Sequence, residues 1–329
     1  MATIREVARL AGVSPATVSR VMNGTANVDE EKRRRVLEAI EQTGFHPNEL
    51  ARALFKNSSK IVGLIVPNIE NPFFSELARE IEAEAFQHGF RLLLCNSNNN
   101  AEKERMNISM LKQMKADGLI LITNNAHTGR LIADIPMPVV VVDRHVIDVR
   151  EIASVESDHY KGGRLATQHL IDCGCRNIVC FRGPQEFTSG ALRFQGYRDV
   201  CEENGLPVRY IDCEFLFEAG MQAAEEMLER YPDADGVVAG NDMVAISAYK
   251  VFRNHGIRVP EDIQLVGYDD ISFSSLVSPE ITTIRQPIRE MGRRAIQLIY
   301  HYGNEQNHES ELDTILDVQL IERQTTRKK

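Results

Sequence analysis

Ile61-Val62-Gly63-Leu64-Ile65-Val66, followed after four residues by Asn71-Pro72-Phe73-Phe74, decides how most of this chain is read. Six uncharged residues are far short of the ~20 that span a bilayer, and they read as a strand buried on both faces. Asn71-Pro72 is a helix start, an amide followed by a proline at the first helical position. The same pairing recurs outward from it. Strands are expected at 61–66, 91–95, 118–123, 139–143, 177–181, 236–239 and 263–267, with amphipathic helices at 72–88, 103–115, 160–173, 191–204, 219–231 and 243–255. Repeated strand–helix units of this kind give an α/β fold with parallel sheets covered on both faces. The length suits two doubly wound sheets, with 154–158 and 282–287 as the crossovers between them.

In open parallel sheets a ligand sits outside the carboxyl ends of the strands. The residues just past those ends are Asn71, Phe73 and Phe74, then Asp143 and Arg144, then Asn241-Asp242, and finally Asp269. Carboxylates accept from paired hydroxyls, Arg and Asn donate, and aromatic rings cover C–H faces, so the set suits a neutral polyol. Each residue also has a plainer reading. Asn71-Pro72 starts a helix, Phe73 or Phe74 fits a core, and Asp143 or Asp269 caps the next helix.

Catalysis finds little support. No G-x-G-x-x-G follows a strand, Gly162-Gly163 lacks a third glycine, and the P-loop, H-E-x-x-H and G-x-S-x-G motifs are missing. Asp143 and Asp269 have the make-up of an acid/base pair, but carboxylates beside an arginine are expected to stay ionised and serve binding. His127, His159, His169 and His301 are scattered and read as surface or packing residues. Cys173-Gly174-Cys175, with Cys180 and His169, lacks the second ligand pair of a zinc site, so neither metal nor cofactor is expected. Six cysteines behind Met1-Ala2-Thr3-Ile4-Arg5-Glu6, a start without an apolar segment, read as reduced thiols of a cytoplasmic protein with no membrane partner.

The net charge of −9 argues against nucleic acid only as an average. Residues 1–60 hold ten Lys and Arg against seven acids, a net +3, which leaves −12 for the other 269 residues. A basic head on an acidic body makes the head the nucleic-acid candidate. Its first 45 residues read as three helices. Thr3 and Glu6 fit a capping box, with Val7, Ala8, Leu10 and Ala11 along one face. Ser14-Pro15 starts the second helix, which shows Val18, Val21 and Met22 inward. A third runs over 29–43 and buries Val36, Leu37 and Ile40. Two helices joined by about three residues around Gly12 make a helix-turn-helix. In a major groove Ala16 would touch a thymine methyl and Arg20 would pair with guanine, while Ser14, Thr17, Ser19 and Asn23 suit phosphates. An ordinary three-helix subdomain with a solvated face is the plainer alternative.

Thr3-Ile4-Arg5-Glu6-Val7-Ala8 and Ala11-Gly12-Val13-Ser14-Pro15-Ala16-Thr17-Val18-Ser19-Arg20-Val21-Met22-Asn23 closely resemble the head of lac repressor (LacI) family transcription regulators, with Glu6 where the family more often has Asp. The resemblance continues through Phe45-His46-Pro47-Asn48-Glu49-Leu50-Ala51-Arg52-Ala53-Leu54, similar to the family hinge helix. It implies DNA contacts by Thr3, Ser14, Pro15, Ala16, Thr17, Ser19, Arg20, Asn23, Asn48 and Ala51, and a minor-groove wedge at Leu54 that kinks the operator. By spacing alone, Leu50 and Leu54 are a plain amphipathic face. The resemblance covers the whole chain and implies a head at 1–46, a hinge helix and linker at 47–59, and a sugar-binding and dimerisation domain at 60–329 of periplasmic-binding-protein type. Its subdomains would be about 60–158 plus a C-terminal return segment, and about 159–286. The pocket set resembles that of ribose-binding proteins and of ribose operon repressors of low-GC Gram-positive bacteria: Asn71, Phe73, Phe74, Asp143, Arg144, Arg193, Phe215, Asn241, Asp269 and Gln286. Within Phe215-Leu216-Phe217 either ring suits the ligand, and Phe215 is the one assigned. The implied function is a homodimeric repressor, lacking a heptad tail for tetramers, that leaves a near-palindromic operator when a small sugar such as ribose binds. A different sugar, a sugar phosphate or a protein co-regulator are the alternatives within the family, and a sugar-processing α/β enzyme is the distant one.

Overall fold

Thr3 opens α1 (Ile4–Ala11) by accepting the Glu6 amide on its hydroxyl at 3.3 Å, and Gly12 closes it in the left-handed region at φ 62°. Ser14 does the same for α2 (Pro15–Asn23), taking the Thr17 amide at 3.2 Å, and Asp29 caps α3 (Glu30–Thr43) through the Lys32 amide. The computed structural model describes residues 2–23, 28–45, 58–125, 128–133, 135–144, 152–302 and 313–327. The chain divides into two units, residues 1–59 and 60–329. Val7, Ala8, Ala11, Val18, Val36 and Ala39 form the core of the first. Leu10 and Leu37, expected on buried faces, are each 51% exposed, and the smaller Ala39 takes the inner position. Three short helices cover only the middle of each apolar stripe.

In the second unit β1 (Ile61–Val66) sends Val62, Leu64 and Val66 into one apolar cluster and Ile65 into another. Alternate residues of a strand face opposite sides, so burial of both sets requires a helix layer on each face. These layers come from α4 (Pro72–Gln87), which supplies Phe73, Phe74, Leu77 and Ile81, and α5 (Ala101–Gln113), which supplies Ile108 and Leu111. Along the chain follow β2 (Arg91–Asn96), β3 (Gly118–Leu121), α6 (Thr128–Ile132), β4 (Val139–Val142), β5 (Ala153–Ser157), α7 (His159–Asp172), β6 (Ile178–Arg182), α8 (Thr188–Glu203), β7 (Arg209–Asp212), α9 (Phe217–Arg230), β8 (Gly236–Ala239), α10 (Asp242–Asn254), β9 (Gln264–Asp269), β10 (Thr282–Arg285), α11 (Ile288–Tyr302), β11 (Asp313–Leu316) and β12 (Gln319–Ile321).

The first sheet has the order β11-β5-β4-β3-β1-β2 and the second β12-β10-β9-β8-β6-β7, the doubly wound pattern twice over. Every pairing is parallel except β12 against β10. The stretches expected as crossovers are mostly strand. Residues 153–157 pair with β4 and 282–285 with β9, and the chain passes between the sheets at Asp158, at Gln286-Pro287 and again between β11 and β12. After the second passage α11 returns to the first sheet, placing Met291, Ala295, Ile296 and Ile299 against the α4 and β1 residues. Each fully buried leucine in these clusters contributes about 1.5–3 kcal/mol through the apolar surface it hides.

Candidate functional site

On the head, Thr3, Ser14, Pro15, Ala16 and Arg20 are exposed, and Thr17 and Ser19 are half-buried. The Ser14 and Thr17 hydroxyls are 2.9 Å apart at the start of α2, so the cap that starts this helix also presents hydroxyl groups there. Asn23 is the last residue of α2. Asn48, Ala51 and Leu54 lie outside the described residues. A short helix with small side chains at its start and the Arg20 guanidinium in its last turn has the dimensions and donors that a major groove admits.

In the body, a cleft open to solvent lies at the carboxyl ends of both sheets. Pro67, Asn68, Asn71, Phe74, Asn99, Asn124 and Arg144 line it from the first half, and Phe187, Glu214, Phe215 and Leu216 from the second. Asn71 has two duties, since its Oδ1 accepts the Phe73 amide at 3.0 Å to cap α4 while the residue lines the cleft. Phe73 is turned into the core and meets Phe74 edge-on at 5.3 Å between ring centroids; Phe74 is the ring at the cleft. Phe215 is likewise at the cleft, seated where a Cβ on Gly183 or Gly240 would fall 2.3 or 2.8 Å from its ring. Phe217 instead packs beneath the Lys250 ammonium at 5.2 Å from its ring centroid, inside the reach of about 6 Å for such contacts.

Behind this lining the charged residues are buried. Asp143 follows β4 with φ 69° and Asp269 ends β9 with φ 111°, left-handed backbone that an L-residue adopts only when its surroundings enforce it. Asp269 Oδ1 accepts from Gln286 Nε2 at 2.8 Å and lies 3.7 Å from Arg193 Nη2. Arg193 projects from α8, donates to the Gly240 carbonyl at 2.7 Å and lies over the Tyr268 ring at 3.7 Å. Arg144 reaches across the cleft to the Phe187 ring at 4.4 Å, with its Nε 3.5 Å from Asp143 Oδ2. Asn241 caps α10 through the Val244 amide at 2.9 Å, and its Nδ2 is 3.4 Å from the Phe215 carbonyl. Its neighbour Asp242 points into the second half, accepting from the Ser274 and Thr283 hydroxyls and the Ile271 amide.

Desolvation dominates the electrostatics. Burial pushes the Asp143 carboxyl up against the opposing pull of Arg144 and Arg193, and pushes the Asp269 carboxyl well up against Arg193. Loss of water thus outweighs the pull of the neighbouring arginines at both carboxyls. Arg144 is itself brought down to about 10 by burial. Several buried polar atoms have no hydrogen-bond partner: Asp143 Oδ1, Arg144 Nε and Nη1, Ser189 Oγ, Asn124 Oδ1 and Gln286 Oε1. Buried polar groups are normally paired, and two of the residues carrying unpaired atoms, Arg144 and Asn124, line the cleft.

Asn99, Asn124 and Phe187 were not singled out in the sequence, although each follows a strand and the rule that found Asp143 applies to them equally. Asn124 Nδ2 donates to Asn99 Oδ1 at 2.6 Å. Among the described residues no group of His, Cys, Asp or Glu is arranged to hold a metal, no helix is long and apolar enough to cross a membrane, and the six buried cysteines form no disulfide.

Residues 59–324 match the periplasmic binding proteins and sugar binding domain of the LacI family, and residues 3–48 match the bacterial regulatory proteins of the lacI family. A ribose operon repressor of Halalkalibacterium halodurans is 37% identical over 99% of this chain and 98% of that protein. The lac repressor dimer bound to operator and the anti-inducer ONPF has a TM-score of 0.88 at 26% identity, covering 99% of each chain. A LacI family regulator from Enterococcus faecium with bound ribose has a TM-score of 0.73 at 29% identity, covering 81% of this chain and 98% of that one. With its helix-turn-helix head and its paired sheets around a polar cleft, this chain belongs to the lacI family of bacterial regulatory proteins, DNA-binding transcription repressors that carry a sugar-binding domain.

Proposed function

We propose that the protein is a homodimeric repressor released from a near-palindromic operator when D-ribose enters the cleft between its two sheets. The observation that carries the ligand half is the set of buried, unpartnered atoms on Asp143, Arg144, Asn124, Ser189 and Gln286, of which Arg144 and Asn124 line the cleft. A furanose or pyranose offers several hydroxyls, each both donor and acceptor, to groups of this kind, and Phe74 and Phe215 cover its C–H faces. Asn71, Asp269, Arg193 and Asn241 complete the contact set. Phe73 supports Phe74 from the core. Ribose is favoured over other sugars by the ribose operon repressors among the relatives and by the ribose-bound neighbour.

On DNA, Ala16 and Arg20 read bases, Thr3, Ser14, Pro15, Thr17, Ser19 and Asn23 fix the register, and Asn48, Ala51 and Leu54 belong to a hinge that wedges the minor groove. The dimer has the support of the operator-bound lac repressor dimer, whose fold this chain shares. Sugar acts as an inducer by binding the DNA-free conformation more tightly, which is the only way a ligand shifts such an equilibrium. Calorimetric titration with pentoses, hexoses and their phosphates, paired with operator-binding assays at each saturating sugar, tests the reading. D-Ribose is expected to bind and to lower operator affinity. Binding of another sugar with no response to ribose overturns the ligand, and sugar binding without any effect on the operator overturns the mechanism.

A further inference from the structure

His159 reads in sequence as a packing or surface residue, and it is fully buried at the first turn of α7, where the chain first passes between the sheets. Its Nε2 is 3.1 Å from the Asp143 carbonyl oxygen, while its Nδ1 faces Arg193 Nε and Nη2 at 3.4 Å each and the Tyr268 hydroxyl at 3.4 Å. A carbonyl only accepts and a guanidinium only donates, so the proton belongs on Nε2 and Nδ1 is the acceptor. Burial holds the imidazole well below its usual range, Arg193 and Arg144 add to this, and the Asp143 carbonyl opposes it. The Asp143 carboxylate faces the same ring with Oδ1 at 3.8 Å from Nε2.

Gly162-Gly163 explains how the ring comes so close to both sides. A Cβ on Gly162 would sit 2.2 Å from the Tyr268 hydroxyl, and one on Gly163 would sit 2.1 Å from the Arg193 carbonyl. The paired glycines therefore admit the start of α7 against β9 and α8, which places His159 between an arm of the first half and an arm of the second. We infer that His159 is a positioning residue, a neutral imidazole that fixes the Asp143 backbone on one side and the Arg193 guanidinium on the other, so that the two halves present their charged groups to the ligand in register. This inference rests on the ligand reading of the cleft.

Two measurements on the full-length protein test it. The ¹⁵N spectrum of the imidazole, assigned with His159→Gln, is expected to show the Nε2–H tautomer without titration from pH 5.5 to 8. An Nδ1–H tautomer or an imidazolium in that range overturns the arrangement, whether or not any sugar binds. D-Ribose titration of His159→Phe, which keeps a ring and loses both bonds, is expected to show at least a 30-fold weaker affinity. His159→Asn retains an acceptor at the Nδ1 position and His159→Gln a donor at the Nε2 position, so each falls between wild type and the Phe variant. Wild-type affinity in all three, with thermal unfolding unchanged, overturns the positioning role. If the Phe variant does not fold, the Asn and Gln variants decide the matter by the same criterion. Wild-type protein that binds no sugar in the panel is a failure of the ligand reading, and the spectrum still decides the His159 arrangement.

Discussion

The two halves of the body share one strand order and each ends a strand on an aspartate with positive φ, yet they hold these aspartates differently. Asp269 is fixed by Gln286 at 2.8 Å with Arg193 nearby, whereas Asp143 keeps one oxygen unpaired beside an arginine with two unpaired nitrogens. The Asp269 group of the second half is already hydrogen-bonded, with Ser189 Oγ and Gln286 Oε1 left open beside it, whereas the first half leaves atoms of Asn124, Asp143 and Arg144 unpaired. Leaving a buried polar atom unpaired costs about 1–3 kcal/mol, so hydroxyls that satisfy the first half recover much of that free energy on binding. On the proposed reading, the better-paired arm is where the sugar docks and the less-paired one is what its hydroxyls satisfy.

The largest expected effect comes from breaking the better-paired arm. Asp269→Ala removes a carboxylate and strands Arg193 and Gln286, so ribose affinity should fall 100-fold or more, about 3 kcal/mol. Arg144→Ala should cost about tenfold and should also lower urea-unfolding stability, because the ion pair with Asp143 and the contact with the Phe187 ring go with it, although Nε and Nη1 make no hydrogen bond in the free protein. Calorimetry giving the reverse order would exchange the roles of the two arms.

The support of the better-paired arm is open to a pH test. Burial pushes the Asp242 carboxyl up to about 7 from the ordinary 3.8. The folded state thus binds this proton more tightly than the unfolded chain, so the contribution is complete below about pH 4 and is lost as pH rises through 7. Body stability should decline across that window by at most about 1.4 kcal/mol per pH unit from this group, and Asp242→Asn should flatten the decline. A pH-independent unfolding free energy in both proteins would remove Asp242 from this role. The smallest effect separates two rings of the second half. Phe215→Ala should weaken ribose several-fold, while Phe217→Ala, away from the cleft, should leave affinity within twofold by the same titration.

The central strands were legible because burial on both faces leaves uninterrupted apolar runs such as Val139–Val142. Three of the four edge strands lack that signature, β2 with its Leu92–Cys95 run being the exception. β7, β11 and β12 mix polar and apolar residues, since one edge or face of each meets solvent. Residues 153–157 and 282–285 read as connections because Ser154, Ser157, Thr282 and Thr283 look like loop residues. Their hydroxyls are buried and paired, Ser154 with Asp313 at 2.8 Å and Thr282 with Thr326 at 3.0 Å. The apolar spacing of α11, at Ile288, Met291, Ala295 and Ile299, is a helical stripe that a search for strand–helix units passes over. At the cleft, strand ends pointed to Asp143, Arg144, Asn241 and Asp269. Adjacent Phe73 and Phe74 could not be told apart, because consecutive residues at a helix start face different ways. His159 was hidden for a different reason, since its three partners come from β9, α8 and the end of β4 and meet only in the folded chain.

The weave between the sheets bears on how the protein is made. Residues 313–316 supply the outermost strand of the first sheet and residues 319–321 that of the second. Thr325, fully buried, then locks to β9 by accepting the Leu265 amide at 2.9 Å and donating its hydroxyl to the Leu265 carbonyl at 2.7 Å. A ribosome must therefore emit nearly all of this chain before either half can be finished. The two halves of the cleft mature together, and a transcript cut short anywhere before this segment leaves neither half whole.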